Sequence, residues 1–316
     1  MNKEMRAQFE ATLKSRDTEE FIDIYLYRPL GFRWAKFFEK QGVHPNVVTL
    51  FSIFLGISAG LLFISPSLRW NVVGMFLLVW ANTYDSCDGQ LARMTGKKTH
   101  WGRILDGFAG DVWFFFINLA VVLRSVHQTI PFTDHEWGLT IFILASISGL
   151  GYHAYQSRLA DYYRQVHLFF LKGEAGSELD NSVKQHQIFE AASWRHDFFW
   201  KLFLGAYAAY TGEQEKATPA FQALRTLLTQ RYGSHIPASF RTRFCELSRP
   251  LMKYTNILTF NTRCIILFLS LFLNMAWLYL FCEIFVMSLI CIYMNVKHEL
   301  ICRRLYQEVL HNQFTH

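Results

Sequence analysis

The sequence predicts an all-α, polytopic membrane protein: six transmembrane helices, an N-terminal interfacial helix and a helical cytoplasmic insert. Hydrophobic residues make up 52% of the 316-residue chain and charged ones only 18%, a balance that suits a bilayer better than a soluble core. The apolar residues gather in runs near the roughly 20 residues a helix needs to cross the hydrocarbon core. Under a six-span reading, 29 of the 31 lysines and arginines fall on one side of those runs, leaving Arg69 and Arg124 on the other. That asymmetry places both termini in the cytoplasm and favours an even number of spans.

Residues 1–46 are charged and carry no apolar leader, so they read as cytoplasmic and interfacial helices. In "PLGFRWAKFFEKQG" (Pro29–Gly42), Leu30, Trp34, Phe37 and Phe38 share a helical face, with Arg33, Lys36 and Lys40 towards the other. That pattern fits a helix lying in the headgroup layer; a short soluble helix packed on the long loop is the other reading. The segment 47–158 holds spans at 47–66, 71–93, 103–124 and 138–158. The segment 254–316 holds spans at 257–274 and 276–296, separated only by Asn274, and a C-terminal tail.

Residues 159–253 are too polar to span and read as a helical cytoplasmic insert. Thr218-Pro219 is a helix start, Gly233 a stop, and Pro237 the opening of a further short helix. "FFWKLFLGAYAAY" (Phe198–Tyr210) is too short to cross; it touches the membrane surface or forms the insert's core. His167, His186, His196 and His235 show no ligand spacing and read as surface residues. The six cysteines are scattered without a CxxC pair, indicating neither a disulfide framework nor a zinc site. The net charge of +6 flanks apolar spans, which fits an anionic membrane surface and excludes nucleic acid as a partner.

The stretch "YDSCDGQLARMTGKKTHWGRILDGFAGD" (Tyr84–Asp111) sets four aspartates at the ends of two spans. Asp85 and Asp88 are three apart and share a helical face, continued by Gly89 and Ala92 with little side-chain volume. Arg93 follows on the same helix. Beyond the loop lysines Lys97 and Lys98, the next helix begins at Gly102 and brings in Asp106. A carboxylate inside a membrane costs roughly 2.5–3.5 kcal/mol on insertion scales, so a group of them has a function. Clustered oxygen ligands suit Mg²⁺, Mn²⁺ or Ca²⁺, and the neighbouring cations suit phosphate. The chemistry indicated is phosphoryl transfer at the inner edge of the membrane.

This stretch resembles the signature of the CDP-alcohol phosphotransferase family, D-x2-D-G-x2-A-R-x8-G-x3-D-x3-D. Asp85, Asp88, Gly89, Ala92, Arg93, Gly102 and Asp106 match it, and "HPNVVTL" (His44–Leu50) resembles the usual approach to the first span. The resemblance implies Mg²⁺ or Mn²⁺ as cofactor, held by Asp85, Asp88, Asp106 and Asp111. It implies a CDP-linked donor bound around Asp85, Gly89, Ala92, Arg93 and Gly102. An alcohol acceptor then attacks the β-phosphorus, with Asp106 and the last aspartate as catalytic groups, the latter as general base. It also implies phospholipid synthesis by a homodimer in a cytoplasm-facing membrane.

One position departs from the pattern. Position 110 is glycine and the fourth acid, Asp111, comes one residue late, about 140° from Asp106 on an ideal helix. A π-bulge near 107–111 is expected to turn it back. The motif does not separate a CDP-lipid with a polar alcohol such as inositol phosphate from a CDP-linked head group with diacylglycerol or ceramide. Arg158 and Arg263, spaced to flank the site, favour a phosphorylated acceptor and hence the CDP-lipid donor; as plain positive-inside anchors they favour neither. A cation transporter and an inactive CDP-binding homologue remain as readings from other classes. A membrane prenyltransferase is disfavoured by the short step from Asp88 to Asp106.

Overall fold

A computed structural model describes residues 3–12, 15–97, 100–195, 198–311 and 314. Among them the chain is helical, with no strand beyond an isolated bridge between Thr129 and Glu136. The helices run α1 (Lys3–Ala11), α2 (Arg28–Lys40), α3 (Pro45–Phe63), α4 (Leu68–Thr95), α5 (His100–Ser125), α6 (Gly138–Ser146), α7 (Ala154–Lys172), α8 (Ser182–Ala191), α9 (Phe198–Lys216), α10 (Pro219–Tyr232), α11 (Ala238–Ser248), α12 (Met252–Ile257), α13 (Phe260–Phe272), α14 (Trp277–Phe281) and α15 (Ser288–Leu310). π-Helical segments occupy Asp23–Tyr27, Ile147–His153 and Cys282–Met287. The chain divides into two compact units, 1–154 with 260–286 and 155–259 with 287–316.

Among the described residues, five helical stretches are long and apolar enough to cross a membrane: Pro45–Phe63, Leu105–Ser125, Gly138–Lys172, Ala238–Phe272 and Trp277–Leu310. The expected second span falls in α4, which carries Arg69, Asp85, Asp88 and Arg93 and does not meet the same measure of apolarity. With 28 residues it is about 42 Å long. The protein is an integral membrane protein by these helices.

In the first unit, α4 and α5 each pack on α3, and α2 packs against α4. His44 starts α3: it is extended, its Nδ1 accepts from the Asn46 amide at 3.2 Å, and Pro45 fills the first turn. Close approach of α3 to α5 depends on Gly56, where a Cβ would sit 2.0 Å from the Trp113 ring. Trp113 Nε1 in turn donates to the Ser52 carbonyl at 3.1 Å. α4 ends at Gly96, whose φ of 67° gives the left-handed cap that closes many helices.

Far from the acids in sequence, Arg124 joins the other helix ends. It is buried and donates to the carbonyls of Phe63 (3.3 Å) and Ser65 (2.8 Å) and to the amide oxygens of Asn71 (3.0 Å) and Asn274 (2.6 Å). Replacing it by Met leaves those acceptors without a donor. A loss on the order of 2–3 kcal/mol is expected, read as a lowered Tm in detergent.

The second unit has its own aromatic core of Tyr162, Tyr163, Phe170, Phe221, Phe240 and Phe244. α10 begins at Pro219 and stops at Gly233, and α11 follows Pro237, where the sequence sets these boundaries. His186 and His235 are exposed and His196 lies outside the described residues. His167 is not a surface residue: it is fully buried and its Nδ1 lies 2.7 Å from Ser248 Oγ. On α9, Leu204 and Ala208 face the core whereas Phe198, Phe199 and Leu202 are exposed.

Candidate functional site

α4 carries Asp85 and Asp88 on one face and α5 brings Asp106 to them. One carboxylate oxygen from each lies within 4.8 Å of the others. The three acids grade outward: Asp88 is buried, Asp85 half-buried and Asp106 exposed. Like charges at this separation repel by roughly 3 kcal/mol a pair at an effective dielectric near 20. A protein that packs them together needs a compensating positive charge. Three hard oxygen donors close enough to share one ion fit Mg²⁺ or Mn²⁺, both of which favour carboxylate ligands.

Two neighbours support the cluster. Thr49 Oγ1, buried on α3, donates to Asp88 Oδ2 at 2.5 Å and so fixes the innermost carboxylate. Arg93 folds back over Gly89: a Cβ there would lie 3.4 Å from Arg93 Nη1. Its Nε and Nη2 are buried without hydrogen-bond partners. Orphaned guanidinium donors beside an acidic cluster point to an anion that completes them.

The N-terminal segment holds the outer side of the motif helix. Gly31 of α2 lies so close to α4 that a Cβ would come 3.1 Å from the Cys87 amide and 3.2 Å from Ser86 Oγ. Gln90 Nε2 donates to the Arg28 carbonyl and to Thr12 Oγ1, both at 3.2 Å. Arg28 reaches Glu19 at 3.0 Å and Ser86 at 3.4 Å. Trp34 packs on Trp80 and Tyr84 of α4. Thr49, Gln90 and Arg28 were not singled out by the sequence; Thr49 lies within "HPNVVTL", the one local signal that pointed to its segment.

The expected π-bulge at 107–111 is absent, because α5 is a regular α-helix through that stretch. Asp111 therefore sits about 140° around the helix from Asp106. It is exposed and does not join the cluster of Asp85, Asp88 and Asp106. Gly102 is half-buried in the first turn of α5 and Ala92 half-buried on α4. Lys98 and the side chain of Arg103 lie outside the described residues.

Neither arginine expected to flank the acceptor stands open. Arg263 is fully buried and ion-paired with Glu283, with His153 Nδ1 at 2.8 Å. Arg158, in the second unit, lies over the Tyr210 ring at 5.2 Å.

These features define an α-helical integral membrane protein with an acidic centre between two helices, backed by a guanidinium. Residues 42–167 match the family model described as CDP-alcohol phosphatidyltransferase. The chain is 35% identical over 119 residues to an uncharacterized protein of Aquifex aeolicus, covering 37% of this chain and 56% of that one. It is also 35% identical over 75 residues to a phosphatidylinositol phosphate synthase of Streptomyces avermitilis, covering 23% of this chain and 29% of the relative. The matched region thus spans about half the length of the first relative and under a third of the second. No solved structure matches the chain significantly.

Proposed function

We propose that the protein transfers a phosphatidyl group from a CDP-linked lipid to a polar alcohol, releasing CMP on the cytoplasmic side of the membrane. The observation that carries this reading is the approach of Asp85, Asp88 and Asp106 within the family domain, beside the orphaned donors of Arg93. In this reading Asp85, Asp88 and Asp106 hold Mg²⁺ or Mn²⁺, which neutralises the diphosphate when bound. Arg93 binds the diphosphate, while Gly89, Ala92 and Gly102 leave room for the nucleotide. The acceptor oxygen bonds to the β-phosphorus, the bond to the CMP oxygen breaks, and the hydroxyl proton passes to a carboxylate. We assign that proton to Asp106, the exposed member of the three, in place of Asp111. The charge asymmetry supports cytoplasmic termini, and the relative named phosphatidylinositol phosphate synthase supports inositol phosphate as acceptor.

The test is CMP release by the purified protein in detergent, with CDP-diacylglycerol paired in turn with inositol phosphate, inositol, glycerol phosphate and serine. Mg²⁺- or Mn²⁺-dependent release with inositol phosphate is the expected result. Release only from CDP-linked head groups with diacylglycerol or ceramide would overturn the donor assignment. No release with any pair, alongside retained CDP binding, would favour the inactive homologue, a reading supported by glycine at position 110.

The register of the last acid gives a further expectation. Asp111→Asn is expected to change CMP release by less than about tenfold, because its side chain points away from the triad, whereas Asp106→Asn removes at least about a hundredfold. A Cβ at Gly110 meets no atom within 4 Å, so Gly110→Asp can be installed without a clash to ask whether the usual spacing raises the rate. A drop in Asp111→Asn equal to that of Asp106→Asn would return the proton to Asp111.

A further inference from the structure

A second group of potential ligands lies in the other unit, outside the chemistry above. On α15, His298, Glu299 and Cys302 are 1%, 9% and 0% exposed. His298 Nδ1 lies 3.6 Å from Cys302 Sγ and 3.8 Å from Glu299 Oε1, and the three donor atoms are within 4.8 Å of one another. We propose that His298 Nδ1, Glu299 Oε1 and Cys302 Sγ bind a zinc-class divalent cation that fixes α15 to the insert.

Local hydrogen bonding accounts for these groups only in part: Cys302 Sγ and His298 Nδ1 share a hydrogen bond of 3.6 Å. Glu299 Oε2 accepts from the Ala220 amide at the start of α10 at 2.6 Å, but Oε1 is buried without a partner. His298 Nε2 is also unpartnered, so Nδ1 is the ring atom with polar company. Around them stand aromatic rings: Tyr163 stacks on His298 at 3.9 Å, and Phe221 and Phe244 lie at 6.0 and 6.2 Å. An unmatched carboxylate oxygen in such surroundings is costly.

A cation removes that cost, and the spacing suits one. Tetrahedral zinc, with bonds of about 2.3 Å to sulfur and 2.0–2.1 Å to nitrogen, sets its N and S ligands about 3.6 Å apart. That is the His298–Cys302 distance. Thiolate and carboxylate together cancel a double positive charge. The N, O, S set also separates this centre from the all-oxygen triad, which favours harder ions. The His298 ring is held for the purpose: Tyr163, stacked on it, donates from its hydroxyl to Asn295 at 2.8 Å. His298 and Cys302 are four apart and share a helical face. No CxxC pattern marks such a site, which is why the sequence indicated none.

The full-length protein, purified without chelator, is expected to carry stoichiometric zinc by mass spectrometry. After chelation, added Co²⁺ should give a near-ultraviolet thiolate charge-transfer band. Cys302→Ser should abolish that band, while Cys87→Ser, beside the acidic triad, should keep it. Glu299→Gln keeps an acceptor for the Ala220 amide and should weaken zinc binding at least tenfold. Chelation should lower the Tm of the wild type and leave that of Cys302→Ser unchanged. Zinc-free wild-type protein that gives no cobalt–thiolate band overturns the proposal, and so does a band that survives Cys302→Ser.

Discussion

Asp88→Asn is expected to lower CMP release by about a thousandfold or more while the protein stays folded. Asn keeps the size of the side chain and an oxygen to accept from Thr49, so the packing between α3 and α4 survives. What disappears is one of three negative charges around the proposed ion, and the most buried one. Thr49→Val should act more mildly and by another route. It frees the Asp88 carboxylate to rotate, weakening metal affinity by about 10–100-fold, the usual size of an outer-sphere effect. Steady-state CMP release across a Mn²⁺ titration separates the two. Thr49→Val should shift the half-saturating Mn²⁺ concentration and recover near wild-type kcat at high metal, whereas Asp88→Asn should not recover. Asp88→Asn activity within tenfold of wild type would falsify the role given to the triad.

The acidic centre was legible in the sequence because carboxylates at the ends of apolar helices are costly, so a group of them stands out. Asp85, Asp88 and Asp106 sit on two successive helices that both pack on α3, which brings their ends together. Helix ends were legible where Pro219 and Gly233 act locally. What escaped was packing. In a soluble protein large apolar residues mark the buried face, but in a bilayer they face lipid and small residues face protein. α3 is arranged that way, with Ser52, Gly56, Ala59 and Gly60 buried and Leu50, Phe51, Phe54 and Leu61 exposed. On α2, Gly31, Phe32 and Ala35 are buried, Leu30, Trp34 and Phe38 half-buried and Phe37 exposed. Thr49 reaches Asp88 across 39 positions of sequence, a contact that only this small-residue packing creates. The π-helical turns were misplaced too. None lies at 107–111; two end at or contain His153 and Glu283, the residues that meet Arg263.

That meeting sets up the other large effect. Arg263→Met is expected to cost about 3–5 kcal/mol, because it strands the Glu283 carboxylate inside the bundle without its guanidinium, His153 lying 3.7 Å away. A fall in Tm large enough to lower the yield of folded protein should follow. The double variant Arg263→Met, Glu283→Leu removes both charges and should recover most of the lost stability, since well-packed apolar side chains often replace a buried ion pair without penalty. The same variant separates two roles for Arg263. A group that binds the phosphate of the acceptor must reach it, and this guanidinium is fully buried and already committed to Glu283. The double variant should therefore bind inositol phosphate with a KM within about twofold of wild type. A KM raised tenfold or more at unchanged Tm, with no such change for unphosphorylated inositol, would assign Arg263 to the acceptor site and show that the pair opens during the reaction.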